Sequence, residues 1–510
     1  MVEVKVKKLN ESYSLITADI QTRKNIIEYL KVEDPKSHFN KLVKLGIKDK
    51  YIYFTKFVND DLLIYNGLRH ALKNFGIQPI DESNNVTDTE INNFLSSLKF
   101  PFQPHDYQLN NIKLALTNNK MLFKACTGSG KSLTISVILE FFRQKNYKGI
   151  LVVPNINLLT QFKSDIESYG FSDLNNQIQL LGNKHHSNFD TCLTITTWQS
   201  MQKEMPNLKK LNFDYIIVDE CHRASADILR DIVLKSSNTK IKLGFTGTLP
   251  DDDPVALMTL LGLFGKPSTI ITSKELIDRG LATPVKIKTI FLNYPYKDKT
   301  EFNSISRADS DTNYSKQLEF IKKYQPRQEM ISNLLVKLKQ SGQNTLALFQ
   351  HTEHGKEIFT RVMNKLYPDI TIDDSVIVGK DSFEFQKKYK VLFMNGEQSG
   401  TVRELQRNFM EQEDGVILIA NYSVASTGIN IKNLHNLVFV SPLKSFTTIS
   451  QSLGRLMRKH NNKKQSVIYD IVDDFGIRVH GGVFYKQYKH RLASSYIPEE
   501  FEVSDTVYNM

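Results

Sequence analysis

The sequence predicts an α/β protein: two tandem domains, each built on a parallel sheet, preceded by a small α+β module. Three observations carry that expectation. Short apolar runs recur between stretches of helical periodicity, first from Met121 to Thr248 and again from Thr345 to Val440. Strands alternating with helices build parallel sheets covered on both faces. Polar clusters come directly after these runs, at the strand carboxyl ends where ligands of such folds sit. Finally, a Gly-rich turn, Ala125-Cys126-Thr127-Gly128-Ser129-Gly130-Lys131-Ser132, lies between the apolar Met121-Leu122-Phe123 and a helical pattern from Ile135 to Phe142.

The bulk composition agrees. With 510 residues, 40% hydrophobic and 24% charged, the chain holds material for roughly three ordinary soluble domains. A net charge of +11 suits a polyanionic partner, although a lysine-rich solvated surface would give the same figure. Cys126, Cys192 and Cys221 have neither metal-ligand spacing nor the makings of a disulfide framework, which fits a reduced compartment. No secretory h-region or apolar run of membrane-spanning length appears, so a cytoplasmic protein is expected.

Residues 1–95 read as the leading module. Val2 to Val6 alternates like an edge strand, Ile20 to Leu30 has helical spacing, Tyr51 to Phe54 reads as a strand and Leu62 to Phe75 as a second helix. Lysines accumulate between them, among them Lys36, Lys41, Lys44, Lys48, Lys50 and Lys56. Interleaved with Tyr51, Tyr53 and Phe54 they suit nucleic acid, or equally a solvated face. The polar stretch Asp81–Thr89 reads as a linker.

The first large domain spans 96–290. In the Gly-rich turn, Gly128 and Gly130 let successive N–H groups point into one concavity at a helix N-terminus, where the dipole favours anions. That is the context of a phosphate-binding loop. Lys131 then reaches the β- and γ-phosphates of a nucleotide and the Ser132 hydroxyl takes a place on Mg²⁺. Gln108, one helix earlier, suits the adenine edge. Gly149 to Val153 forms an apolar strand ended by Pro154, and Leu193 to Gln199 another, ending in Thr197 and Trp198. Tyr215 to Val218 runs straight into Asp219-Glu220-Cys221-His222. An acid at a buried strand tip holds Mg²⁺, and its neighbour polarises the attacking water. Leu243 to Thr248 adds a further strand with the hydroxyls Thr246 and Thr248 at its end, suited to coupling nucleotide state to closure.

Residues 291–330 are polar and read as a linker or an insertion with a helix of its own. The second domain, 331–475, has strands at Thr345–Phe349, Lys390–Phe393, Gly415–Ile419 and Asn436–Val440, and no second phosphate loop. It needs a nucleotide supplied by the first. Thr427, Gly428 and Asn430 offer a hydroxyl-bearing tight turn. Gln451, Arg455 and Arg458 share a helical face by their spacing, and arginine forks onto phosphate oxygens. Residues 476–510 read as a C-terminal helical extension, with a basic amphipathic helix from Phe484 to Tyr496 docking on the second domain.

In one order, Gln108, the Ala125–Ser132 loop, Asp219-Glu220-Cys221-His222, Thr246-Gly247-Thr248, Ser426–Asn430 and Gln451 to Arg458 resemble the motifs of superfamily 2 helicases and translocases. The match covers roughly 100–475, and Ala125 in place of the first Gly is usual there. A narrower resemblance, to the phage UvsW-type recombination helicases, rests on Thr196-Thr197-Trp198-Gln199, Phe349 to Lys356, Lys432 to Asn436, Leu456 to His460 and Tyr469 to Asp474.

The resemblance implies two RecA-like domains sharing ATP and Mg²⁺. It makes Gln108, Thr127, Gly128, Ser129, Gly130, Lys131, Ser132, Gly428, Asn430, Arg455 and Arg458 the ATP ligands, with Ser132 and Asp219 on the metal. Glu220 becomes the base, helped by Asp219, Lys131, Arg455 and Arg458; Arg458 is the expected arginine finger. His222, Thr246, Thr248 and Gln451 become coupling residues. Pro154, Thr197, Trp198, His351 and Thr427 become DNA contacts, joined by Lys41, Lys44 and Lys48 of the leading module. The implied partner is forked or four-way junction DNA, with RNA–DNA hybrid a further ligand, and the implied state a monomer. The implied activity is fork regression, Holliday junction branch migration and the unwinding of R-loops or D-loops, in phage recombination, repair and replication. An RNA helicase, a restriction-system motor subunit and an ATP-switched DNA-annealing protein remain open on the motifs alone.

Overall fold

The computed structural model describes residues 4–35, 37, 40–77, 83–182, 188–223, 226–250, 253–307, 313–379, 381–426, 431–442, 454, 456–477 and 479–510. The chain divides into two compact units, Met1–Thr272 and Ser273–Met510.

The first unit opens with β1 (Lys5–Lys8) and β2 (Tyr13–Thr17), the helix Ile20–Tyr29, β3 (Lys31–Glu33), β4 (Tyr51–Tyr53), β5 (Thr55–Val58) and β6 (Asp61–Tyr65). Antiparallel pairing gives the order β1-β2-β6-β5, with β3 and β4 forming a separate two-stranded ribbon. Two expectations change here. The first strand, expected over Val2–Val6, is described over Lys5–Lys8, with Val2 and Glu3 outside the described residues, and Leu62 to Phe75 is not one helix. Alternate burial of Leu62 and Ile64 marks β6 as a strand whose inner face joins the module core, and the 3₁₀ helix Asn66–Phe75 comes after it.

The module is fused to the first large sheet and its helices. Gly67 lets the 3₁₀ helix approach the helix Pro254–Phe264 so closely that a Cβ there would lie 2.2 Å from the Leu261 carbonyl oxygen. The turn after β1 is held by a buried lysine. Lys242 Nζ donates to the Ser12 hydroxyl (2.8 Å), the Val233 carbonyl (2.9 Å) and the Glu11 carbonyl (3.3 Å). Burial drives its ammonium well below the usual lysine range, and that of Lys120, 3.8 Å from the Glu11 carboxylate, to about 7. Module and sheet therefore fall within one compact unit.

The large sheet of this unit uses β7 (Lys120–Ala125), β8 (Gly149–Val153), β9 (Ile178–Leu181), β10 (Leu193–Thr197), β11 (Tyr215–Val218), β12 (Ile241–Thr246) and β13 (Pro267–Ile271). Every pairing is parallel, in the order β13-β7-β12-β11-β8-β10-β9. The strands β8, β10, β11 and β12 are buried at every residue, which is why β8 and β11 read as unbroken apolar runs.

The second unit holds β14 (Val285–Asn293), β15 (Thr345–Phe349), β16 (Val391–Met394), β17 (Ile417–Asn421), β18 (Asn436–Phe439), β19 (Ser466–Asp474) and β20 (Glu502–Asn509). They form a second all-parallel sheet in the order β16-β17-β15-β18-β19-β14-β20. The limits drawn from sequence differ from the contacts in three places. Residues 285–293, of which 285–290 were expected in the first domain and 291–293 in the linker, pair along their whole length with β19 in the second sheet. The polar stretch after them carries two helices, Tyr296–Arg307 and Asn313–Lys323. The tail is helical only over Val483–Arg491 and the short turn to Tyr496, then adds β20 beside β14.

Two buried ion pairs anchor the helix Gln325–Gln340 and the tail helix to β19. Arg327, fully buried, reaches Asp473 at 2.7 Å, and Tyr294 donates its hydroxyl to the same carboxylate at 2.6 Å. Arg491 of the tail helix grips Asp470 through two nitrogens at 2.8 and 2.9 Å, with the Tyr496 hydroxyl also donating to it. Buried charges of this kind hold only when paired and hydrogen-bonded.

Candidate nucleotide-binding site

The loop between β7 and the helix Lys131–Gln144 is shaped by its glycines. Gly128 and Gly130 have φ of +89° and +80°, the left-handed region that other residues adopt at a cost. Gly130 is also the N-cap of the helix. Gln108 reaches in from the helix Asp106–Thr117: its Nε2 donates to the Ser129 carbonyl (3.1 Å), while its Oε1 accepts from the His105 N–H (2.9 Å). Gln108 thus buttresses the loop, a contact that sequence reasoning missed because it assigned the amide to a base edge. Ser129 is buried, and Thr127 and Ser132 are half-buried on the same loop.

At the tip of β11 the acidic pair meets the loop lysine. Lys131 Nζ lies 2.8 Å from Asp219 Oδ1 and also contacts the Glu220 carboxylate. Three charges share one partly closed site, and each shifts the others. Burial alone would raise the Glu220 carboxyl, but the Lys131 ammonium, with His222 and Arg223, brings it down to about 2. Asp219 is more deeply buried and moves the other way: desolvation, helped by Glu220, outweighs the pull of Lys131. Lys131 itself is opposed by burial yet held above its ordinary value by both carboxylates. Glu220 sits at φ +47°, a conformation rare for a non-glycine residue and found where a site constrains its backbone.

Behind the acids, His222 links two strand ends. Its Nδ1 lies 2.5 Å from the Thr246 hydroxyl and 3.4 Å from Glu220 Oε2. Burial lowers its pKa to about 4, so the ring is neutral near pH 7. Thr246 in turn donates to the Thr248 carbonyl (2.5 Å), and the Gly247 N–H points at Glu220 Oε2 (3.4 Å). The structure therefore brings Gln108, Gly128, Ser129, Gly130, Lys131, Asp219, Glu220, His222, Thr246 and Thr248 into one connected set. Among the described residues no group of three or more His, Cys, Asp or Glu side chains forms a metal cage. The oxygens of Asp219 and Ser132 are nonetheless donors that suit Mg²⁺, and Asp219 already holds a cationic group.

The residues expected to touch a strand have mixed settings. Pro154 is buried at the end of β8. The Thr197 hydroxyl caps the helix Trp198–Lys203 by accepting from the Ser200 N–H (3.3 Å), and Trp198 packs partly buried against the core of the first sheet. Lys41, Lys44 and Lys48 are exposed.

In the second unit, His351 is exposed at the N-terminus of the helix Thr352–Leu366, directly after β15. Arg458 is half-buried, its guanidinium pushed to lower pKa by burial, and its carbonyl accepts from the Thr283 hydroxyl (3.0 Å). Thr427, Gly428, Asn430, Gln451 and Arg455 lie outside the described residues. A polar network missed by sequence reasoning backs His351: the Gln350 N–H donates to the Ser441 hydroxyl (3.2 Å), which contacts His354 Nδ1 (3.4 Å), and His354 Nε2 meets Gln328 Oε1 (2.8 Å). Burial takes His354 to about 3. Its only sequence signal was a histidine on the apolar face of a helix.

The family described as "Type III restriction enzyme, res subunit" matches residues 91–251, the stretch that carries the loop and the acidic pair. The ATP-dependent DNA helicase uvsW of Enterobacteria phage T4 is 28% identical over 511 aligned residues, covering 96% of this chain and 94% of that protein. The endonuclease subunit of the type I restriction enzyme EcoAI from Escherichia coli is 23% identical, covering 69% of this chain and 44% of its own. Among solved structures, the ATP-dependent type ISP restriction-modification enzyme LlaBIII bound to DNA superposes with a TM-score of 0.55 at 16% identity, over 81% of this chain and 32% of its own; that likeness is one of fold.

Proposed function

We propose that this chain, an ATP-dependent helicase of superfamily 2 similar to the phage helicase uvsW, is a DNA motor that acts on branched DNA. The substrates assigned to it are stalled forks, Holliday junctions, and D-loops or R-loops, during phage recombination, repair and replication in the host cytoplasm. The observation that carries the reading is the Lys131 ammonium lying on Asp219 and Glu220, in a chain that aligns over almost its whole length with a DNA helicase.

The chemistry assigned to the site rests on these residues. Lys131 exchanges its carboxylate partners for the β- and γ-phosphates of ATP, leaving the Asp219 oxygens free. Asp219 and Ser132 would hold Mg²⁺, which would supply charge neutralisation for those phosphates. Glu220, whose carboxyl the Lys131 ammonium holds down to about 2 before ATP binds, is assigned to orient the attacking water. His222 and Thr246 carry the change at Glu220 to the Thr248 turn. Arg455 and Arg458 of the second unit are assigned to the γ-phosphate, Gly428 and Asn430 to the nucleotide, and Gln451 to coupling. Binding shifts a conformational equilibrium only through differential affinity for its states, and the γ-phosphate is the group assigned to supply it.

The chain is expected to work as a monomer. The test is ATP hydrolysis measured on single-stranded DNA, blunt duplex, forked DNA, a four-way junction and RNA duplex, with Lys131→Ala as control. Stimulation greatest on forks and junctions supports the reading; stimulation by RNA alone refutes it.

A further inference from the structure

At the end of the β3–β4 ribbon the Asp34 N–H donates to the Lys50 carbonyl (2.9 Å), and residues 40–50 run back into β4. The far end is built by its own backbone. Asn40 caps the short helix Lys41–Lys44 by accepting from the Leu42 N–H, and the Ile47 and Lys48 N–H groups return to the Leu42 carbonyl at 2.9 and 3.2 Å. On this ordered tip three large apolar side chains face solvent: Leu42 is 49% exposed, Leu45 60% and Ile47 71%. Three aliphatic groups exposed within six residues form a patch that folding alone does not explain.

The surrounding charge selects the occupant. Among the described residues, Lys41, Lys44 and Lys48 have no ion-pair partner. Lys50, by contrast, is held by Glu33 at 3.3 Å and lies over the Tyr51 ring. The nearby acid Asp49 accepts from the Tyr53 hydroxyl (2.5 Å) and the Tyr51 N–H (3.1 Å). A protein partner would have to cover unneutralised lysines, a residue type depleted from protein interfaces. Nucleic acid matches both features, because proteins that open base steps insert aliphatic side chains between bases while lysines hold the flanking phosphates.

The tip is also rooted on the motor. Val32 and Ile52 of its ribbon pack on the same core as Val255, Met258 and Leu261 of the helix Pro254–Phe264, the helix that comes after the Thr246–Thr248 turn. Movement begun at that turn therefore has a packed route to the ribbon.

We infer that the tip Lys41–Lys48 is the strand-separating wedge: Leu42, Leu45 and Ile47 stack on bases opened at a DNA branch, and Lys41, Lys44 and Lys48 hold the phosphates on either side. The inference rests on the proposal that the chain acts on branched DNA.

The test uses the full chain, a forked duplex with 2-aminopurine at the branch-point base, and the substitutions L42S/L45S/I47S. All three side chains are exposed, so the fold does not depend on them. The native chain should unstack the probe and raise its fluorescence. The serine variant should lose that rise and separate roughly tenfold fewer base pairs per ATP hydrolysed. The conservative set L42M/L45M/I47L should restore both. If the native chain separates forks and the serine variant does so with the same coupling and the same fluorescence rise, the wedge alone is overturned. If the native chain shows no fork-stimulated hydrolysis, the branched-DNA reading falls and takes the wedge with it. A native dimer that the serine substitutions convert to monomer, with fork separation unchanged, would assign the patch to a second copy of the chain and likewise overturn the proposal.

Discussion

Gln108 and Gly130 compete for one space: a Cβ built on Gly130 would lie 2.1 Å from Gln108 Nε2, the atom that donates to the Ser129 carbonyl. Gly128, two residues earlier, has an equally left-handed backbone but open space around the same position. The pair therefore separates conformational strain from steric exclusion. Gly128→Ala should cost about 1–2 kcal/mol through backbone strain. Gly130→Ala should cost more and weaken ATP binding further. Adding Gln108→Ala to Gly130→Ala should recover the steric part, read as a non-additive coupling in denaturant unfolding and ATP titration.

His354 gives the second unit a pH dependence of defined sign. Its folded pKa, about 3 because of burial, lies below the unfolded value near 6.5, so the unfolded chain binds the extra proton first. Stability is complete above about pH 6.5 and falls as pH drops toward 3. The expected loss from this group between pH 7.5 and 5 is about 2 kcal/mol. Urea unfolding of the native chain and of His354→Gln across that range should show a shallower slope in the variant. An unchanged slope would place the titrating group elsewhere.

Exposed lysines of the leading module should act through phosphate. Replacing Lys41, Lys44 and Lys48 by Gln should weaken binding to forked DNA with little regard to sequence. The slope of log affinity against log salt should flatten by about 1 for each contact removed. Fluorescence anisotropy at several salt concentrations measures both. A slope equal to that of the native chain would return these residues to solvated surface.

Arg458 is the residue assigned to the γ-phosphate in the transition state. Arg458→Ala should therefore lower kcat for ATP by roughly 10³-fold or more while leaving nucleotide affinity within severalfold. Thr283, which bonds the Arg458 carbonyl at 3.0 Å, holds the backbone there. Thr283→Val should lower kcat by a smaller factor with the same KM. Loss of affinity without loss of kcat would make Arg458 a ground-state contact.

Both large sheets were legible in the sequence because their central strands are buried on both faces. Runs such as Gly149–Val153 and Tyr215–Val218 have no polar face to blur the signal. The acidic pair was legible because it continues such a run without a break. Edge elements were not. The strand Glu502–Asn509 has no fully buried residue and carries Glu502, Ser504 and Asp505, so its place beside Val285–Asn293 is set by pairing rather than by an apolar run. Asp61–Tyr65 resembled the start of a helix because Leu62, Leu63 and Ile64 are apolar in succession; only tertiary pairing with Tyr13–Thr17 separates them into inward and outward faces. The fusion of the leading module to the first sheet depends on Lys242, a residue whose type argues for exposure until its three acceptors are seen together. Gln108 was expected at an adenine edge from its place one helix before the loop; its amide bond to the loop backbone depends on tertiary contact and has no signal in the sequence.

The claim that ATP turnover at Lys131, Asp219 and Glu220 drives strand separation is tested most directly by monitoring released phosphate and displaced strand together on one forked duplex. The native chain should yield both, and faster than on a blunt duplex, while Lys131→Ala should yield neither. Hydrolysis by the native chain without displaced strand, or strand displacement by Lys131→Ala at the native rate, would contradict it.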